Sequence, residues 1–281
     1  MAIRIMTDSA ADIPENWAKE HGVAIFPLHI RFGEEEYLDG KTLSHDDFYR
    51  KLEESRQVPK TSQITPFEYG EAFGEAVRAG DQVLCFCLSS GVSGSYESAC
   101  SAAAEFGDDV RVVDSRQFCV SQYIIVARAV QMRDAGWDLD AVDAGIRKEL
   151  GHAHVIAIFD TLEYLRRGGR IPAVAAFAGT LLSIKPVLTI ENGVVKILGK
   201  AKGMRRAYSL MTEFIRKTGI DFSRPLCLAY SGLSEERLRS YLEEADFLKD
   251  KLHEIPVFSV GATIGTYAGP DAIALAFFDA D

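Results

Sequence analysis

Residues 88–96 read LSSGVSGSY, four serines and two glycines directly after an apolar run. A turn of this kind, between a strand and a helix, aims backbone N–H and side-chain O–H groups at one spot, where the helix dipole favours an anion. Three chemistries could use it. In the first, GVSGS approximates the G-x-S-x-G elbow, with Ser93 as nucleophile of a serine acyl-hydrolase. That reading needs an acid and then a histidine downstream, and His253, beside charged neighbours, is the only histidine after residue 154. In the second, Gly91 and Gly94 hold a nucleotide, with Asp114 at a following strand end. The first glycine of G-x-G-x-x-G is missing, however, and no Gly-Lys-Ser/Thr follows. In the third, the hydroxyls cradle a carboxylate, which requires donors and no base. A serine-rich helix cap without a ligand is the plainest alternative. KTSQITP adds Thr61 and Ser62 ahead of another helix. TDSAAD closes the first strand, at the sheet edge where ligands collect in open α/β folds, although Asp12 reads there as a cap.

Other reactive side chains read as structural. The five cysteines are an odd number, as expected of reduced, buried thiols. His152 and His154 could share a strand face as metal ligands, but no third ligand is apparent and no metal is expected. Trp17 and Trp137 fall in predicted helices and read as packing residues. Between Asp160 and Arg206 nine basic residues meet three acids, giving +6 in a chain of net charge −10. Such a concentration suits an anion or an acidic partner, or is a solvated face. Inside it, Ala173 to Ile184 (AVAAFAGTLLSI) is apolar, and a dry tube with a polar end is what an acyl chain needs, at about 0.8 kcal/mol per buried CH₂.

The elements that must position these residues alternate in the first half. Strands are predicted at Ile3–Thr7, Val23–Phe32, Gln82–Leu88 and Val110–Asp114. Helices are capped by Pro14, Ser44 and Thr65–Pro66, PKTSQ is read as a loop, and another helix spans about Gly94 to Phe106. Two more helices meet at Gly136 and Asp138. This βαβ rhythm implies a mostly parallel, Rossmann-like sheet with helices on both faces. The second half predicts six strands, a hairpin about ENG, and a long helix from Ser234 to about Leu252, hence an α/β layered domain with a mixed or antiparallel sheet. The expected domains are residues 1–152 and 153–281. Net charge −10 disfavours nucleic acid and anionic membranes. No stretch reaches the roughly 20 apolar residues of a bilayer span. Asp8 and Asp12 interrupt the N-terminus before any signal-like core, so a cytoplasmic protein is expected.

TDSAADIP, KTSQITP, LSSGVSGSY, VVDSR, LRRGGRI, LLSIKPVL and VGATIGTYAGP follow one another in this order. Together they resemble the DegV family of bacterial fatty-acid-binding proteins, across essentially the whole chain. The resemblance implies two α/β domains enclosing one long-chain fatty acid, no other cofactor, and no catalysis by the protein itself. In kinase-linked members the carboxylate is presented to a fatty-acid kinase, which forms an acyl phosphate. Family motifs assign carboxylate binding to Thr61 and Ser93, with Ser62, Ser90 and Tyr267 as further candidates. Tyr267 stands where kinase-linked members carry a histidine in G-T-H-A-G-P, Ala10 replaces a usual hydroxylated residue, and Ile64 a common proline. Arg166, Arg167, Arg170, Arg205 and Arg206 are the expected kinase-docking or anion-binding residues. A hydrolase built on Ser93, or a lipid carrier or sensor without a kinase, are the alternatives.

Overall fold

The computed structural model describes residues 2–55, 57–170 and 184–280. The first half runs β1 (Ile3–Asp8), α1 (Glu15–Glu20), β2 (Val23–Phe26), β3 (His29–Phe32), β4 (Glu35–Leu38), α2 (His45–Glu54), β5 (Lys60–Ser62), α3 (Pro66–Arg78), β6 (Gln82–Cys87), α4 (Ser95–Ala103), β7 (Val110–Asp114), α5 (Val120–Asp134) and α6 (Leu139–Glu149). The second half runs β8 (Ala153–Ile158), α7 (Glu163–Gly168), β9 (Ile184–Glu191), β10 (Val194–Lys202), α8 (Met204–Thr218), β11 (Cys227–Tyr230), α9 (Glu236–Glu244), β12 (Val257–Ser259), α10 (Ala262–Ala268) and β13 (Ile273–Phe278).

The described strands form three sheets. A parallel sheet has the order β2-β1-β6-β7, a small antiparallel sheet β4-β3-β5, and a mixed sheet β10-β9-β8-β13-β11-β12. The small sheet corrects two expectations. Val23–Phe32 is two strands, because Pro27 cannot donate to a ladder and the chain turns there from one sheet to the other. PKTSQ is no plain loop: β5 pairs with β3, with Thr61 opposite Ile30. The helix expected from Ser234 to Leu252 ends at Glu244 and continues as short 3₁₀ turns. Most of the apolar run from Ala173, all but Ile184, lies outside the described residues.

Period-2 alternation sorts each strand between two cores. Ile5, Leu84, Phe86 and Val113 of the parallel sheet face α5, while Val83, Cys85 and Cys87 face α3 and α4. On the mixed sheet Val155, Ala157, Ala229 and Ala274 also face α5, and Ile156, Ile158, Leu228 and Leu275 face α8 and α9. Helix α5 (VSQYIIVARAVQMRD) is buried nearly all round because it is the layer shared by the two large sheets. The cysteines are free thiols, and all but the half-buried Cys100 are buried.

Candidate functional site

Helix α10 carries the site, and the first half of the chain fixes its start. Asp12 Oδ1 accepts from Gly261 N (2.8 Å), and Asp39 accepts from Ala262 N (3.0 Å), Thr263 N (3.1 Å) and the Thr263 hydroxyl (2.5 Å). Ser9 Oγ donates to the same Asp39 carboxylate (3.0 Å), and Tyr49 Oη donates to Val260 O (3.0 Å). These carboxylates satisfy N–H groups that a helix start leaves unpaired, from more than 220 residues away in sequence. Asp12 therefore does cap a helix, a distant one. Its Oδ2 has no partner, and burial drives its carboxyl well above the usual range. Burial likewise raises Asp8 to about 7, although it accepts from Leu88 N, Gln122 and Ala10 N.

One turn further on, Tyr267 Oη lies 2.6 Å from Thr61 Oγ1. The ring is held by close packing: a Cβ on Gly168 would sit 2.3 Å from it. In the reciprocal contact, a Cβ on Gly269 would sit 2.2 Å from the Tyr164 ring. The glycines of LRRGG and YAGP thus let α7 and α10 pack ring against backbone. The Arg170 guanidinium stands 5.2 Å from the centre of the Tyr267 ring, close enough for a cation–π contact. It also donates to Gly168 O (2.8 Å) and Val92 O (3.4 Å).

Thr61, Ser62, Ser93, Arg170 and Tyr267 all line one cavity of about 350 Å³, with Leu28, Leu88, Phe118, Phe159, Leu165 and Val195 as apolar wall. Among the described lining residues there is no histidine, aspartate, glutamate or lysine. Phe118, Phe159, Val195, Ile264 and Ala268 are shared with a smaller, almost wholly apolar cavity of about 60 Å³, which lies against Val155, Ala157, Leu188, Ala229 and Ala274 of the mixed sheet. Polar end and apolar end therefore meet along one wall.

The four serines of the opening loop take different tasks. Ser89 Oγ donates to Gly193 O (2.7 Å), tying the β9–β10 hairpin tip to the loop. Ser90 Oγ donates to Asp114 (2.6 Å) and is not among the cavity-lining residues. Ser93 lines the cavity, and its Oγ lies 3.1 Å from Ser95 Oγ and accepts from Ser95 N (3.3 Å). Asp114, the strand-end residue of the nucleotide alternative, accepts from Ser90 Oγ and from Arg116 N.

The basic segment disperses. Arg166 and Arg167 both pair with Glu163 (2.8 and 2.7 Å), and Lys185 pairs with Asp160 (2.6 Å). Arg205 and Arg206 are exposed on α8, behind the mixed sheet from the cavity, with Arg205 3.8 Å from Glu244. Of the five arginines singled out, Arg170 alone lines the cavity. His152 and His154 each bond the Asp279 carboxylate (2.8 Å), and the described residues contain no metal-binding group of three or more ligands. Gln63 and Thr263 also line the cavity. In sequence an amide and a single threonine carry no chemical signature; the helical period of GATIGTYA is the available signal for Thr263.

A family model described as "Uncharacterised protein, DegV family" matches residues 2–280. A DegV domain-containing protein of Caldanaerobacter subterraneus subsp. tengcongensis is 33% identical over 98% of each chain. A fatty-acid-binding DegV family protein of Thermus thermophilus is similar in structure, with a TM-score of 0.88 and 30% identity over 99% of this chain and 100% of that one. A stearic-acid-binding protein of Eubacterium ventriosum has a TM-score of 0.84 and 25% identity over 99% and 98%. Matched in sequence and in fold over almost its whole length, the chain belongs to the DegV family.

Proposed function

We propose that this protein binds one long-chain fatty acid, its carboxylate among the hydroxyls of Thr61, Ser93, Ser62 and Tyr267 and its chain in the apolar cavity. One observation carries the reading: a hydroxyl-lined cavity, without a base among its described residues, runs into an apolar one. The similar proteins of Thermus thermophilus and Eubacterium ventriosum, described as binding fatty acid, support it. Arg170 supplies the positive charge that a neutral Tyr267 does not. Hydrogen bonds to a charged group contribute about 1.5–3 kcal/mol each. Mass spectrometry of lipid extracted from the purified protein tests the reading: stoichiometric long-chain acid supports it, and protein that neither carries nor takes up such an acid refutes it.

The protein acts as a carrier in this reading, and Ser93 is a donor rather than a nucleophile. A serine nucleophile needs an adjacent base, whereas the Ser93 hydroxyl bonds the hydroxyl and the N–H of Ser95. A fluorophosphonate probe should leave Ser93 unlabelled; stoichiometric labelling would favour the hydrolase. We further propose that the carboxylate is delivered to a fatty-acid kinase in the cytoplasm, with exposed Arg205 and Arg206 on the docking face. Rim charges tune association rate and its salt dependence. Reversing both to Glu should slow acyl-phosphate formation in a reconstituted assay, most at low salt, with lipid affinity unchanged.

A further inference from the structure

The mixed sheet is torn along one seam. Strand β8 pairs with β13 over six residues and β9 with β10 over eight. Between β8 and β9 only Ala157 with Leu188 and Ile158 with Val187 are paired, with one more bond from Phe159 N to Pro186 O. Continuing that register would match Ile156 with Thr189, Val155 with Ile190 and His154 with Glu191; none of these pairs forms. Two features pull the hairpin away. A β-bulge between Ile197 and Gly199 bends β10, and Ser89 holds the hairpin tip at Gly193 against the serine loop. Gln117 enters from the other side and donates to Ala153 O (3.1 Å) instead of a strand partner.

The tear lies at the end of the apolar cavity. Thr189 and Ile190 line both that cavity of about 60 Å³ and an outer cleft of about 530 Å³, whose walls include Arg116, Gly151, His154, Glu191, Leu198 and Phe214. Among the described residues, the outer cleft offers more room than the inner apolar cavity it adjoins. We propose that the far end of the acyl chain passes between β8 and β9, so that the outer cleft, not the inner cavity, sets the limit on chain length and admits a bulky or polar chain end. The cleft suits this: Leu198 and Phe214 offer apolar wall, while Arg116 and Glu191 keep its mouth wet. This inference rests on the fatty-acid reading above.

The test uses two probes, dodecanoate and hexadecanoate tipped with pyrene, on the full chain. Two variants block the route. Gly151→Trp fills the outer cleft from a position where a Cβ meets nothing within 4 Å. Thr218→Trp fills the same cleft from α8, at a residue that lines the outer cleft and neither inner cavity. The wild type should bind both acids with affinities within about tenfold. Each plug variant should keep dodecanoate binding within about twofold, which also shows that it is folded, and lose at least tenfold on the tipped acid. The proposal is overturned if both variants bind the tipped acid as the wild type does, or if the wild type takes dodecanoate and rejects the tipped acid. Failure of the wild type to bind dodecanoate at all would instead overturn the fatty-acid reading and this inference with it.

Discussion

The two ends of helix α10 make opposite use of polar groups. At its start, four donors from Ser9, Ala262 and Thr263 converge on the single carboxylate of Asp39, and Gly261 N is taken by Asp12. These N–H and hydroxyl donors are all taken within the protein, and the one atom left over, Asp12 Oδ2, is buried, its carboxyl pushed by burial toward the protonated form. One turn later Tyr267 and Thr61 share one hydrogen bond at the wall of a cavity, with Ser62, Ser93 and Arg170 along the same wall. Saturated polar groups make structure; groups with donors to spare make a site. Within the serine loop, Ser89 and Ser90 bond Gly193 O and Asp114 away from the cavity, and Ser93 lines it.

Substitutions at the two ends should therefore break different properties. The largest effect is expected for Asp39→Ala. It leaves the buried N–H groups of Ala262 and Thr263 without acceptors, at about 1–3 kcal/mol each. Chemical denaturation should show a loss of roughly 3 kcal/mol or more. A loss below about 1 kcal/mol would mean that the carboxylate does not pin α10.

Next in size is a pH effect at the neighbouring Asp8, whose folded pKa is raised by burial from 3.8 to about 7. Between these values the folded state holds a proton that the unfolded state has released. Stability contributed by that proton is complete below about pH 4 and is lost as pH rises toward 7, by up to about 1.4 kcal/mol per unit for one group. Asp12, shifted in the same direction, adds to the trend. Denaturation curves at pH 5 and pH 7.5 should show it, and Asp8→Asn should shallow the slope whatever its overall cost. An unchanged slope would assign the pH dependence elsewhere.

At the cavity end the expected change is in affinity. Ser93→Ala and Thr61→Ala should each weaken fatty-acid binding about tenfold or more while leaving the denaturation midpoint nearly unchanged. Smallest of all is Ser90→Ala. Its exposed pair with Asp114 should be worth under about 1 kcal/mol, with no change in lipid affinity. A large loss of affinity in Ser90→Ala would place the headgroup on the wrong side of the loop.

The sequence made the regular parts legible. The β-rich apolar run Gln82–Leu88, the Thr65–Pro66 cap and the Asn192–Gly193 turn are local signals, and each marks the element it indicates. The six strands of the second half were countable for the same reason. What failed was non-local. Nothing near Thr61 announces that β5 is held by β3, and Val23–Phe32 reads as one strand until Pro27 turns the chain into a second sheet. Helix α10 was missed because two of its stabilising carboxylates, Asp12 and Asp39, lie more than 220 residues earlier. The basic run between Asp160 and Arg206 read as one patch, but pairing with Glu163 and Asp160 divides it, and Arg170 alone of the singled-out arginines reaches the cavity.

The central claim is that the cavity-lining hydroxyls of Thr61 and Ser93 hold a fatty-acid carboxylate. Titration of a long-chain acid into the wild type, Thr61→Ala and Ser93→Ala, alongside their denaturation midpoints, tests it most directly. The account predicts affinities weakened about tenfold or more in both variants, at wild-type stability. Wild-type affinity in both variants would contradict it.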